Sequence, residues 1–123
     1  MNVNELSKPQ QDALLDLAIL GMYSDAHLAS IEDARVQRLL ALMGFGSDYD
    51  RNKQYDAAVS RIVRHSKTPE AARERATTLA QSFNTPEHRR TAYNILEELL
   101  KSDSKVAAQE DSFLALIRAA FQM

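Results

Sequence analysis

Apolar residues recur every three to four positions along most of this chain, and nowhere do they alternate with polar ones over a useful length. That periodicity predicts helices and no sheet. The first helix opens at Ser7-Lys8-Pro9-Gln10, where Ser7 is placed to accept from a free N–H and Pro9 lies in the first turn. It runs to about Tyr23. Leu14, Leu17, Ala18 and Gly21 repeat at helical spacing, and Leu15, Ile19 and Met22 widen the face until little is polar except Asp12 and Asp16. Such a helix should be largely enclosed. A second helix, about Ser30 to Met43, turns Val36, Leu39, Leu40 and Met43 inward, leaves Arg35, Gln37 and Arg38 outside, and stops at Gly44.

The stretch Gly44 to Asp50 reads as a turn, with Asp48 as N-cap of a third helix reaching about His65. Tyr55, Val59, Ile62 and Val63 form its stripe, with Arg51, Lys53, Arg61 and Arg64 largely off it. Thr68-Pro69-Glu70 starts a fourth helix at Pro69, and Thr85-Pro86-Glu87 starts a fifth whose core face is Ile95, Leu96, Leu99 and Leu100. A sixth supplies Phe113, Leu114, Ile117 and Phe121. The linkers are short, so the expected architecture is all-α, a compact single-domain array of six to seven helices over residues 1–123.

One pattern occurs twice. Shifted by 78 residues, Asp25 falls on Asp103, Leu28 on Val106, Ala29 on Ala107, Glu32 on Glu110, Asp33 on Asp111, Leu39 on Ile117 and Met43 on Phe121. Each copy reads as a helix–loop–helix corner in which the Asp ends one helix and the apolar residue plugs the corner. The Glu then lies in the first turn of the next helix, facing its positive end. The repeat predicts two pseudo-symmetric corners flanking the third and fourth helices.

These corners resemble those of the tellurite-resistance TerB-like family, a fold shared with the N-terminal domain of a membrane-anchored DnaJ-like co-chaperone. The matching residues are Asp25, Leu28 and Glu32 in the first copy and Asp103, Val106 and Glu110 in the second. The family's usual glycine is replaced by Ala26 and Ser104, and its usual Ser/Thr cap by Ala29 and Ala107. The resemblance covers roughly residues 12–45 and 90–123. It implies a non-catalytic stress-response module, bacterial and cytoplasmic, with an acidic cluster proposed in the family as a metal site.

The chemistry of the four acids is compatible with that implication. Asp25, Glu32, Asp103 and Glu110 would repel one another if the corners pack face to face, and oxygen ligands select hard ions such as Ca²⁺ or Mg²⁺. The plainer reading is that each Asp is a turn residue and each Glu a dipole partner. Neither loop has the ligand spacing of an EF-hand.

Composition narrows the alternatives. The chain is 45% hydrophobic and 26% charged, ordinary for a globular domain that folds unaided. A net charge of −2 argues against a nucleic-acid partner, whose binders carry a basic face. With no cysteine there is no disulfide, thiol nucleophile or cysteine zinc site. The N-terminus lacks a secretory signal pattern, and no apolar run is long enough to enter a membrane directly. The expected partner is therefore a protein, including a second copy of the chain in a homodimer.

Catalytic groups are sparse. His27, His65 and His88 occur singly, outside any HExxH pattern, and neither a nucleophile elbow nor a GxxxxGK[ST] loop is present. The basic residues Arg61, Arg64, His65, Lys67, Arg73 and Arg75 would suit an anion between the third and fourth helices. Solvated helix ends explain the same residues and are the preferred reading. Most aromatic and methionine residues fall on apolar stripes, while Phe45 and Tyr49 lie in the turn, as exposed contacts or as cover for the end of the second helix.

Overall fold

The computed structural model describes the backbone over residues 3–23, 34–100 and 108–122, and side chains over 3–21, 35–100 and 113–122. After a short 3-10 turn at Val3–Glu5 come six helices, α1 (Lys8–Tyr23), α2 (Ala34–Leu42), α3 (Asp48–His65), α4 (Pro69–Ala80), α5 (Pro86–Leu100) and α6 (Ala108–Phe121). Among the described residues there is no strand.

Four of the helix starts share one device, a hydroxyl that accepts the backbone N–H three residues on and so satisfies a donor the helix leaves free. Ser7 Oγ takes Gln10 N at 3.3 Å, Ser47 Oγ takes Asp50 N at 3.1 Å, Thr68 Oγ1 takes Ala71 N at 3.0 Å and Thr85 Oγ1 takes His88 N at 3.1 Å. The cap of α3 is thus Ser47, one residue before the expected Asp48. Asp48 instead stands in the first turn and pairs with Arg51. At Ser7 the cap is reciprocal, because Gln10 Oε1 accepts from Ser7 N at 3.0 Å. Helix α2 ends as its glycine requires. Gly44 has φ +98°, and the N–H groups of Gly44 and Phe45 bond back to Ala41 and Leu40.

Helix α1 is the centre. Every residue from Ala13 to Gly21 is buried, and α3, α4, α5 and α6 all pack against it. That accounts for its apolar character on all sides. It also takes Asp16 inside, at 3% exposure, whereas Asp12 stays at the surface. On α3 the inward face is Tyr55, Ala58 and Ile62, with Val59 half-buried. Val63 points outward at 42% exposure, because it lies about 100° around the helix from Ile62.

The repeat extends beyond the acidic corners. The same shift of 78 carries Ser7 onto Thr85 and Gln10 onto His88, and α1 and α5 begin one shift apart. Gln10 Nε2 lies 3.2 Å from His88 Nδ1 at the N-terminal ends. At the other end the helices are equally close, since a Cβ on Gly21 would sit 2.9 Å from Leu100 Cδ1. Contact at both ends makes α1 and α5 parallel and nearly in register. The buried residues Leu14, Leu17 and Gly21 on one helix and Ala92, Ile95 and Leu99 on the other repeat at spacings of three and four.

The following helices obey the same symmetry. Helix α6 crosses the end of α1, with the Phe113 ring 3.0 Å from where a Gly21 Cβ would be. Helix α2 crosses the end of α5, where Arg35 Nη1 donates to Leu99 O at 3.5 Å and Arg38 faces Glu98 at 3.6 Å. Arg35 and Phe113 are one shift apart, as are Gly21 and Leu99. The sequence order is therefore two helix pairs related by the shift, α1–α2 and α5–α6, with α3 and α4 inserted between them; among the described residues the packing is unequal, since α6 lies along α5 while α2 packs mainly on α3.

Candidate functional site

The sequence points first to Asp25, Glu32, Asp103 and Glu110. Asp25, Glu32 and Asp103 lie outside the described residues, and Glu110 is in the first turn of α6 with its side chain outside them. The last turns of α1 and α5 meet at Gly21 and Leu100, and Asp25 and Asp103 follow those two helices in sequence. Among the described residues, no group of three or more His, Asp or Glu is disposed to hold a metal ion.

Among the described residues the buried charge is Asp16, which the apolar pattern of α1 marks only as an odd polar position. Asp16 accepts from Arg61 through both oxygens, from Nε to Oδ2 at 2.9 Å and from Nη2 to Oδ1 at 2.7 Å. The side-chain hydrogen bond to Asp16 is the main cause that raises Arg61 above its ordinary value, against the opposing effect of partial burial. A second guanidinium, Arg75 Nη2, lies 3.7 Å from Oδ2. One buried acid on α1 thereby holds α3 and α4 to it. The basic cluster is split: Arg61 and Arg75 turn in to this acid, while Arg64, His65, Lys67 and Arg73 are exposed.

A second buried polar group, Gln10, ties three segments together. Its Nε2 donates to Ser82 O at 3.1 Å and approaches His88 Nδ1, while its Oε1 receives Ser7 N. His88 is thus a partner of the packing. His65 is exposed, and His27 lies outside the described residues.

Of the two aromatics in the turn after α2, Phe45 is half-buried, with Lys8 Nζ 4.5 Å above its ring and its carbonyl accepting from Arg51. Tyr49 belongs to the first turn of α3 and is 74% exposed. Leu42, also exposed, ends α2 nearby in sequence. Among the described residues no helix is long and apolar enough to cross a membrane.

Compared with known proteins, the chain matches no family model, no curated sequence and no solved structure.

Proposed function

We propose that this chain is a non-catalytic module of the TerB-like kind, acting in the cytoplasm in a bacterial stress response of the tellurite-resistance type. Its acidic surface takes a divalent cation, Ca²⁺ or Mg²⁺, or a protein partner. The observation that carries the reading is the meeting of α1 and α5 at Gly21 and Leu100. Asp25 follows the last residue of α1 by two positions, and Asp103 follows the last residue of α5 by three. At about 3.5 Å per residue, both aspartates are tethered within about 7 to 11 Å of adjoining helix ends. Glu110 is the third residue of α6, which crosses α1, and Glu32 precedes by two the start of α2, which crosses α5. Four carboxylates tethered to one end, with oxygen as their only donor, suit a hard cation.

The test is calorimetric titration with Ca²⁺, Mg²⁺ and Mn²⁺, repeated on an Asp25→Asn, Asp103→Asn double variant. A saturable heat and a rise in melting temperature are expected in the parent, and neither in the variant. Absence of both in the parent at millimolar ion would sink the cation reading.

A second reading, a plain interaction or homodimerisation domain without metal, is favoured by the exposed Leu42 and Tyr49 around the half-buried Met43 and Phe45. Sizing chromatography with and without chelator separates the two, since an apolar dimer is indifferent to the chelator.

A further inference from the structure

The polar tie at Asp16 carries more positive charge than it consumes. Both oxygens of Asp16 are already engaged by Arg61, through Nε and Nη2. Arg75 approaches the same carboxylate only to 3.7 Å, beyond hydrogen-bond reach, and its Nε is buried without a partner. Yet its side chain is only 22% exposed. The acids beside it on α4 do not neutralise it, since Glu70 faces Arg73 at 3.9 Å and Glu74 is exposed. Two guanidiniums are thus held against one carboxylate, leaving one positive charge in partly desolvated surroundings. There an incoming anion is attracted more strongly than at an open surface.

The surroundings are mixed in sign but mostly basic, since exposed Asp12, one turn before Asp16, also acts on Arg61. Arg64 lies one helical turn beyond Arg61, and His65 and Lys67 follow it, all exposed. Residues 61–75 hold five of the 15 Lys and Arg but only two of the 17 Asp and Glu, so the remainder holds ten bases and fifteen acids. The basic charge of an acidic chain is concentrated where α3 and α4 meet α1.

We propose that the terminal nitrogens of Arg75, together with the Nη1 of Arg61 that Asp16 leaves unengaged, form a subsite for a phosphate-type oxyanion. Asp16 holds the Arg61 fork in a fixed orientation, so one member of the pair is already ordered before the anion arrives. Both arginines lie against the same Asp16 carboxylate and come from different helices, which brings donors of two side chains to one place and suits a tetrahedral oxyanion. A carboxylate is satisfied by a single fork. Free inorganic phosphate and a phosphoryl group on a peptide present the same chemistry here.

The experiment follows the Arg Nε–Hε resonances of the ¹⁵N-labelled full chain during titration with inorganic phosphate, at ionic strength held constant with NaCl. Parallel titrations use acetate and a blocked Gly-phosphoserine-Gly peptide beside its unphosphorylated form. Saturable shifts of Arg61 and Arg75 with phosphate, weaker with acetate, are expected. Arg75→Gln should weaken phosphate binding by about tenfold or more, Arg75→Lys should recover part of it, and Arg90→Gln on exposed α5 should leave it unchanged. Peptide binding tighter than inorganic phosphate would identify a phosphopeptide as the source, and the reverse would identify the free ion. Shifts in the parent chain that are absent, that fail to saturate, or that acetate reproduces equally overturn the proposal, whatever the folding of the variants.

Discussion

Gln10 Nε2 lies 3.2 Å from His88 Nδ1, and the two residues occupy the same position, third in the helix, on the two repeat-related helices. The Gln10 amide cannot be turned over, because its oxygen receives Ser7 N and its nitrogen donates to Ser82 O. Nδ1 of His88 is therefore the acceptor, and the neutral ring carries its proton on Nε2.

Nitrogen shifts of the His88 ring above neutral pH should accordingly show the Nε2–H tautomer. Gln10→Leu should cost about 1–3 kcal/mol in a denaturant melt, because it strands Ser7 N and Ser82 O. His88→Ala should cost less, since Gln10 keeps its two backbone partners. A ring found in the Nδ1–H form would mean that the amide is oriented otherwise.

Where each element begins was legible wherever the signal is local. Thr68-Pro69 and Thr85-Pro86 open α4 and α5 because a hydroxyl cap and a proline act within four residues. Ser47 was missed for Asp48 because both side chains can cap, and only the path of the chain decides between them. Asp16 was visible as the odd polar residue on α1, but its burial depends on Arg61, 45 residues away, and on Arg75 beyond it. Nothing in the spacing of the basic cluster says which two members turn inward. The pairing of Gln10 with His88 was within reach, since extending the repeat from the acidic corners back to the helix caps aligns them. The proposed acidic site rests on Asp25, Glu32 and Asp103, outside the described residues, and on Glu110, whose side chain is outside them, so the structure bears on it only through the helices that flank those positions.

The Asp16–Arg61 pair should respond asymmetrically to mutation. The acid is 4% exposed and the arginine 38%. Arg75, 3.7 Å away, can take over the acid when Arg61 alone is removed, so the test is made in an Arg75→Gln background, where Arg61→Ala strands a buried carboxylate and its cost should approach the about 3–5 kcal/mol of a broken buried pair. In the same Arg75→Gln background, Asp16→Leu fills the space and lets Arg61, the more exposed partner, turn to solvent, so it should cost clearly less. Arg61 is raised above its ordinary value, so its contribution is complete below that value and is lost only in strong alkali. The part that the Arg61 charge contributes should therefore be independent of pH near neutrality in urea melts. Equal costs would mean that the pair is held by its surroundings rather than by the acid's burial.

Gly21 sits where α1, α5 and α6 meet. A Cβ there would lie 2.9 Å from Leu100 Cδ1 and 3.0 Å from Phe113 Cε2. Gly21→Ala gains up to about 1 kcal/mol of helix propensity but overpacks the contact by about 1–3 kcal/mol. The net should be destabilising, and Leu100→Val in the same chain should recover part of it. A stabilised Gly21→Ala would show that the contact yields at little cost.

The last turn of α6 is anchored by one aromatic contact. Phe83, in the turn between α4 and α5, and Phe121, the last residue of α6, are both buried, with ring centroids 5.6 Å apart at 74°, edge to face. That geometry sets the positive edge of one ring against the negative face of the other and adds about 0.5–1.5 kcal/mol beyond area burial. Either Phe→Ala change should cost about 3–5 kcal/mol. In a double-mutant cycle with Phe83→Leu and Phe121→Leu, the single losses should exceed additivity by about the pair value. A coupling below about 0.3–0.5 kcal/mol, the usual error of additivity, would mean that each ring acts by filling volume alone. Because Phe83 is covered by the end of α6, deleting residues 121–123 should cost as much as Phe121→Ala. It should also expose Phe83 to quenching or hydrogen exchange at the α4–α5 turn before the rest of the chain unfolds.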